Sequence, residues 1–194
     1  MPVRPCDEPL LEAGLEHLSA HSLYTRFFTG MTRLGTALLH RLADADQVDH
    51  LAWAAIDPTR PDLPGVGIGH AIRLAAEPTR ADIALTVIDA YQRQGIGSLL
   101  LALLYAQAPA HGISTFSAQM LEANYALVRD LRHLGAATHF ADDCYEILFP
   151  VRTFDSPPPG PDAPLAAFQH IVQRLSAVLA DIPAHDLLLQ QVAV

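Results

Sequence analysis

The feature that most constrains the fold is a strand-like segment that leads through a glycine loop into a long apolar helix, at residues 81–108. Residues 81–88 (ADIALTVI) alternate in polarity, as a β-strand with one buried face does. The apolar face carries Ile83, Leu85 and Val87. Gly95 and Gly97 stand where the apolar helix begins. Because glycine costs about 1 kcal/mol relative to alanine inside a helix, this pair indicates a requirement of the backbone.

Strand and helix patterns interleave along the rest of the chain. Predicted helices lie at residues 7–18, 22–28, 32–42, 95–108 and 123–134. Predicted strands lie at residues 49–56, 67–74, 81–88, 113–120, 138–141 and 145–151, with loops between them, as at 77–80. This order predicts an α/β sandwich with a mixed sheet.

The composition changes after Val151. Residues 156–161 (SPPPGP) are typical of a stiff, extended linker. Beyond them, apolar residues recur at helical spacing from Leu165 to Leu179, which predicts an amphipathic helix that docks on the domain or on a second copy in a homodimer. We therefore divide the chain into a domain (1–151), a Pro-rich linker (152–164) and a C-terminal helical extension (165–194).

Composition and charge narrow the class of protein and its partners. With 51% hydrophobic and 17% charged residues, the chain is expected to bury a large core. The net charge of −9 disfavours nucleic acid and anionic membranes and suits a cationic substrate such as an amine. No run reaches the roughly 18 apolar residues of a membrane span, and the N-terminus lacks the apolar core of a signal peptide, so we expect a cytoplasmic protein. None of the ten histidines has metal-ligand spacing, so no metal is expected.

The glycine loop predicts an anion site. Backbone N–H groups at a helix start point outward unpaired, and the helix dipole adds positive potential there. Gly95 and Gly97 allow a phosphate to approach the backbone, Ser98 adds a hydroxyl and Arg93 adds a charge, so a pyrophosphate would fit. The G-x-G-x-x-G and G-x-x-x-x-G-K-[ST] patterns are both absent, the latter because the chain contains no lysine.

The loop QRQGIG at residues 92–97 resembles the acyl-coenzyme A pyrophosphate loop of the GCN5-related N-acetyltransferases (GNAT). Residues 78–101 (PTRADIALTVIDAYQRQGIGSLLL) resemble the core of the bacterial protein-lysine acetyltransferase branch of that family. Residues 19–28 (SAHSLYTRFF) and 121–136 (LEANYALVRDLRHLGA) resemble two of its conserved helices. The likeness covers about residues 1–151 and implies a mixed, mostly antiparallel central sheet flanked by helices.

The resemblance implies a binding role for three groups of residues. The pyrophosphate would be held, mostly by main-chain N–H groups, at Gln92, Arg93, Gln94, Gly95, Ile96, Gly97 and Ser98. The pantetheine arm would form β-like hydrogen bonds along Leu85, Thr86 and Val87, where a backbone N–H also faces the thioester oxygen. Asn124 matches a family asparagine that contacts the coenzyme, although asparagine also favours helix caps.

Asp82 is the candidate general base. The branch has a glutamate at this position, and the residues 81–84 (ADIA) keep the acid but shorten it by one methylene, about 1.5 Å. A carboxylate is needed because an amine with a pKa of about 10.4 arrives protonated and must lose a proton before it attacks. The shorter side chain either works through a bridging water or weakens the activity. The alternative is a solvated carboxylate at the start of a strand.

No general acid is evident. Many relatives have a tyrosine that protonates the departing thiolate, and the matching position here is Leu131. Tyr125 and Tyr91 lie nearby in sequence, but nothing in the sequence places either hydroxyl at the sulfur. His70, on the strand before Asp82, is either a second base or substrate contact, or a packed histidine.

These observations predict an N-acetyltransferase that moves an acetyl group from acetyl-CoA directly to a primary amine, on a protein lysine or a small molecule. Two alternatives remain. The first is an acyl-coenzyme A sensor without turnover, which the shortened acid and the missing tyrosine favour. The second is an interaction protein that acts through its C-terminal helix.

Overall fold

Across residues 1–28, 34–63, 65–152 and 164–181, which the computed structural model describes, the chain forms one six-stranded sheet and six α-helices. The strands are β1 His50–Ala55, β2 Gly67–Leu74, β3 Glu77–Val87, β4 Thr115–Leu121, β5 Ala137–Ala141 and β6 Cys144–Pro150. The helices are α1 Glu8–Leu15, α2 Ala20–Phe27, α3 Thr36–Ala43, α4 Ile96–Gln107, α5 Tyr125–His133 and α6 Pro164–Asp181.

The strand order is β1-β2-β3-β4-β6-β5, and every neighbouring pair is antiparallel except β3 and β4. These two strands run parallel and pair over only three positions, the last of which joins Asp82 to Ser117. β3 then continues to Val87, still paired with β2, and β4 continues to Leu121, still paired with β6, but the two strands no longer pair with each other. The strands therefore separate, and a cleft opens in the middle of the sheet. The expected mixed, mostly antiparallel sheet is confirmed.

Helices cover both faces of the sheet. On one face, α4 buries Leu100, Leu101 and Leu104 in the main core. On the other face, Leu11 of α1 packs in a cluster with Ala54 and Ile68 of the first two strands. No helix in the described ranges combines the length and hydropathy that a membrane crossing requires.

Most predicted elements are present, with shifted ends, and one loop was predicted wrongly. Residues 77–80 belong to β3, because Leu74 pairs with Glu77 across a tight turn. Pro78 is tolerated in the strand because it lies at its beginning, where a missing N–H costs little. The first helix ends at Leu15 rather than near residue 18. Residues 32–33 and 64, which were assigned to a helix and a loop, lie outside the described residues.

The C-terminal helix α6 packs on α4. Phe168 and Val172 are buried in the main core. The ring centroid of Phe168 lies 5.4 Å from that of Tyr105, in an edge-to-face arrangement. Of the two placements predicted from the sequence, the described part of the helix thus takes the one on the domain. Residues 153–163 and 182–194 lie outside the described residues, and the division of the chain into 1–151, 152–164 and 165–194 stays a prediction.

Candidate active site

The separation of β3 and β4 produces a cleft of about 840 Å³. Side chains from α2, the central strands, α5 and the β5–β6 hairpin line it. Asp82 and Ser117 lie in it at the last β3–β4 residue pair, and Asn124 reaches it from the start of α5. The geometry thus brings the candidate base and one candidate coenzyme residue into the same cleft.

The glycine loop joins β3 to α4. Of its two glycines, only Gly95 has a backbone conformation that favours glycine. Gly95 has φ +86°, in the left-handed region, and Arg93 also has a positive φ of 63°. The first α4 amide with a backbone acceptor is that of Leu99, which donates to the Gly95 oxygen over 2.9 Å. Among the described residues, no acceptor is found for the preceding amides of the helix start, which are therefore open to a ligand. A Cβ at Gly97 would meet only Val87 Cγ2, at 3.9 Å, so the protein itself does not require glycine there.

Two glutamine side chains of the loop form hydrogen bonds with other groups of the protein. Gln92 Nε2 donates to the Val87 oxygen at 3.1 Å and to Ser22 Oγ at 3.2 Å. Gln94 Nε2 donates to the Ala90 oxygen at 3.0 Å. Both amides thereby hold the loop in shape, which leaves its main-chain N–H groups as the anion donors.

The loop is also tied to helix α2 through Asp89, which the sequence reasoning missed. The Asp89 carboxylate accepts hydrogen bonds from Ser19 N and Oγ, both at 2.8 Å, and from Ser22 Oγ at 3.0 Å. Ser19 is the N-cap of α2. The two serines at a helix start were visible in the sequence, but nothing local paired them with an acid far along the chain.

The edge of β3 beyond Asp82 is the candidate pantetheine site. Residues 83–87 pair with β2 but have no β4 partner in the described structure, so the main-chain groups that point away from β2 are available for β-like hydrogen bonds along Leu85, Thr86 and Val87. Thr86 Oγ1 also accepts a hydrogen bond of 3.0 Å from Arg26 Nε. This contact between β3 and α2 was not predicted from the sequence.

Asp82 has the surroundings of a candidate base. Ser117 Oγ lies 3.2 Å from Asp82 Oδ1. The carboxyl is accessible from the cleft, yet desolvation by the surrounding protein raises its pKa, against the opposing effects of the Ser117 hydrogen bond and the charges of Arg26 and Arg80. A raised pKa improves a carboxylate as a proton acceptor near neutral pH.

Asn124 lies in a short 3₁₀ turn, Glu122–Asn124, directly before α5. It occupies the N-cap position, but its side chain makes no capping hydrogen bond. It lines the cleft instead. The arrangement favours a ligand contact over a capping role, and the coenzyme contact stays a prediction.

Leu131, at the matching tyrosine position, lines the cleft but carries no hydroxyl, and neither Tyr91 nor Tyr125 is among the described residues that line it. Leu131 is 3% exposed and belongs to the main core. The Tyr91 hydroxyl donates to Asp57 Oδ2 over 2.6 Å. Tyr125 is half-exposed, and its ring centroid lies 6.2 Å from that of Tyr145.

His70 is a packed histidine. It is 2% exposed, and its Nδ1 lies 3.0 Å from His50 Nε2. Burial lowers the pKa of His70 to about 3, so the ring is neutral at physiological pH. Within the described residues, no group of three or more His, Cys, Asp or Glu side chains is arranged to hold a metal ion.

Comparison with protein families identifies residues 21–136 as an acetyltransferase (GNAT) family domain. The chain is 34% identical over 139 residues to acetyltransferase Pat of Mycolicibacterium smegmatis, which aligns over 70% of this chain. The same alignment spans only 40% of that relative's length.

Solved structures give the same assignment. The GNAT domain of S. lividans PAT matches with a TM-score of 0.70 at 28% identity, over 77% of this chain and 88% of that domain. A cAMP-binding acyltransferase from Mycobacterium smegmatis matches with a TM-score of 0.54 at 25% identity, over 93% of this chain and 51% of that one. Salmonella typhimurium yncA, solved with acetyl-CoA, shares the fold with a TM-score of 0.62 at 15% identity, over 82% and 97% of the two chains. The resemblance inferred from the glycine loop is thereby confirmed: the chain belongs to the GNAT acetyltransferase family.

Proposed function

We propose that the chain transfers an acetyl group from acetyl-CoA to a primary amine by direct attack, with Asp82 as general base. One observation carries the proposal. Asp82 lies in β3 at the residue where the β3–β4 pairing ends. The glycine loop follows the C-terminal end of the same strand. Val87 lies five positions after Asp82 along the strand, a distance of about 16 Å. A pantetheine arm laid along this edge from the loop would bring the thioester close to Asp82.

The coenzyme would be bound mainly by backbone groups. The open amides at residues 95–98, with the α4 dipole behind them, suit a pyrophosphate. Arg93 adds positive charge, and Ser98 adds an exposed hydroxyl. The unpaired β3 edge would bind the pantetheine amides, and Asn124 would contact the arm from the opposite side of the cleft.

The proposed reaction removes two protons from the acceptor nitrogen and replaces the thioester C–S bond with a C–N bond. The acceptor arrives as an ammonium, and Asp82 takes a proton from it, directly or through one water. The free amine attacks the thioester carbon, the new C–N bond forms, and the C–S bond breaks. Coenzyme A leaves as a thiolate and takes a proton from solvent, and the amide nitrogen loses its remaining extra proton.

The acceptor is a protein lysine or a small-molecule amine in this proposal. The net charge of −9 supports a cationic acceptor rather than nucleic acid or an anionic membrane. A cytoplasmic location is part of the same proposal. The buried Leu131 at the usual tyrosine position favours one competing function, an acyl-coenzyme A sensor without turnover.

The test compares Asp82→Asn with the matched control Asp130→Asn, which changes an exposed carboxylate on α5. Acetyl-CoA binding is measured by calorimetry, and coenzyme A release is followed with a panel of amines. We expect Asp82→Asn to lose about 10²-fold or more in turnover with coenzyme binding retained, because general-base catalysis contributes that much. Asp130→Asn should match the parent.

Two results would contradict the proposal. If Asp82→Asn transfers acetyl as fast as the parent, the base is another group. If the parent binds acetyl-CoA tightly but acetylates no amine in the panel, the sensor function is correct.

A further inference from the structure

We propose that Arg26 is a positioning residue that controls the protonation of Asp82, and that Thr86 holds it in place for this purpose. Helix α2 would then be part of the catalytic apparatus rather than only a cover on the sheet. The inference rests on the proposed role of Asp82 as general base. It assigns a function to a residue outside the coenzyme loop and the β3 edge.

The first observation is the anchoring of Arg26. It lies in the last turn of α2, half-buried, and its Nε donates to Thr86 Oγ1 over 3.0 Å. Its guanidinium carbon lies 4.7 Å from the centre of the Phe27 ring. Among the described residues, no other hydrogen-bond partner of this guanidinium is found. A half-buried cation held by one neutral hydroxyl has its charge available to a nearby carboxylate.

The second observation is the neighbourhood of Asp82. Arg26 and Asp82 line the same cleft and attract each other, although among the described residues they form no direct ion pair. Arg80, on the same strand as Asp82, is paired with Glu77 at 3.2 Å, which offsets part of its charge. Arg26 has no such carboxylate partner within the described ranges, and its charge acts on Asp82 and on the buried His70.

Other polar and charged side chains also line the cleft. Ser117 approaches Asp82 from β4, while His139 and Glu146 line the cleft from β5 and β6. α5 contributes no charged side chain to the lining. On the same face, the neutral pair of His50 and His70 lies on β1 and β2.

The third observation is that both ends of α2 form hydrogen bonds with segments proposed to bind the coenzyme. Its N-terminal serines bind Asp89, just before the glycine loop. Its C-terminal turn binds Thr86, within the candidate pantetheine edge. Helix α2 therefore connects Arg26 to both of the segments proposed to bind the coenzyme.

The experiment removes the charge and the anchor separately. Arg26→Gln removes the charge, Arg26→Lys keeps it, and Thr86→Val removes the hydroxyl at nearly constant shape. Arg129→Gln, on the exposed surface of α5, is the matched control. The titration of the Asp82 carboxyl is followed by carbon-13 NMR in the ligand-free protein and assigned by its loss in Asp82→Asn. The pH dependence of kcat/KM is measured in parallel.

We expect Arg26→Gln to move the Asp82 titration and the acid limb of kcat/KM up by about one pH unit, as the loss of a nearby opposite charge does. Thr86→Val should move both in the same direction by less. Arg26→Lys and Arg129→Gln should leave both near the parent. If Arg26→Gln lowers activity without moving the NMR titration, Arg26 is only structural and the inference is overturned.

Two further outcomes can be distinguished from failure of the inference itself. If Arg26→Gln does not fold, Thr86→Val decides the question, and an unmoved titration in that variant overturns the inference. If Asp82→Asn keeps the activity and pH profile of the parent, the proposed base is wrong. The NMR titration still reports whether Arg26 acts on the carboxyl in that case.

Discussion

Asp82 and Ser117 face each other across the last residue pair of the parallel β3–β4 contact, with Ser117 Oγ 3.2 Å from Asp82 Oδ1. Ser117 is 6% exposed, so the hydroxyl is fixed in the sheet. The carboxylate it contacts is accessible from the cleft. This pair marks the point where the β3–β4 pairing ends and the cleft begins.

Ser117→Ala should raise the pKa of Asp82, because the hydrogen bond from Ser117 opposes the effect of desolvation. We expect the acid limb of the kcat/KM profile to move to higher pH, with a loss of stability of about 1 kcal/mol from the lost hydrogen bond. Ser114→Ala makes the same chemical change at an exposed position just before β4 and should leave the profile unchanged. An unmoved acid limb in Ser117→Ala would show that the hydroxyl does not act on the base.

Gly95→Ala should destabilise the protein by about 1–2 kcal/mol, because its φ of +86° lies in the left-handed region that a Cβ disfavours. Urea unfolding measures this cost directly. We also expect acetyl-CoA affinity to fall, since relief of the strain moves the amides of the loop. Unfolding identical to that of the parent would contradict the conformation of the loop.

Gly97→Ala should behave differently. A Cβ there has room, because the nearest atom is Val87 Cγ2 at 3.9 Å, so the free energy of unfolding should stay equal or rise by up to about 1 kcal/mol. Acetyl-CoA affinity, measured by calorimetry, should nevertheless fall, because the methyl group occupies space that a pyrophosphate needs. Binding as tight as that of the parent would place the pyrophosphate elsewhere.

The buried histidine pair should make stability depend on pH. Burial lowers the pKa of His70 to about 3, below the ordinary value of 6.5, and burial also lowers the pKa of His50. Between about pH 3 and pH 6.5, His70 binds a proton in the unfolded chain but not in the folded protein. The free energy of unfolding should therefore fall as the pH drops from about 6.5 toward 3, by up to about 1.4 kcal/mol per pH unit from His70.

Denaturant unfolding between pH 7.5 and 4.5 measures that slope. His70→Gln removes the proton-binding group and should flatten the dependence, while His133→Gln, exposed on α5, should not. Equal slopes for His70→Gln and the parent would assign the acid sensitivity to other groups.

Phe168→Ala should cost about 3–5 kcal/mol in the free energy of unfolding, the usual cost of deleting a buried aromatic side chain. Phe168 is 4% exposed and packs on Tyr105 and Phe149. Val178→Ala, on the exposed side of the same helix, should have almost no effect. Because Phe168 is not among the residues that line the cleft, acetyl transfer by folded Phe168→Ala should match the parent. A similar loss in the free energy of unfolding for Phe168→Ala and Val178→Ala would contradict the docking of α6 on α4.

Local sequence was sufficient to predict much of the architecture. The alternation at residues 81–88 predicted a strand, and β3 includes all of these residues except the last. The two glycines predicted an exposed loop at a helix start, and Gly95 does adopt the left-handed conformation. These predictions succeed because side-chain periodicity and turn chemistry are recorded within a few neighbouring residues.

Contacts between distant segments required the tertiary structure. Nothing near Asp82 in sequence indicates that Ser117 lies beside it or that Arg26 lines the same cleft, and nothing near Ser19 indicates its contact with Asp89. The sequence by itself determined the strands, the glycine loop, the candidate acid and the family. Only the tertiary structure decided where β3 and β4 separate, which groups surround the acid and where α6 docks, because strand register and helix packing depend on the whole core rather than on local pattern.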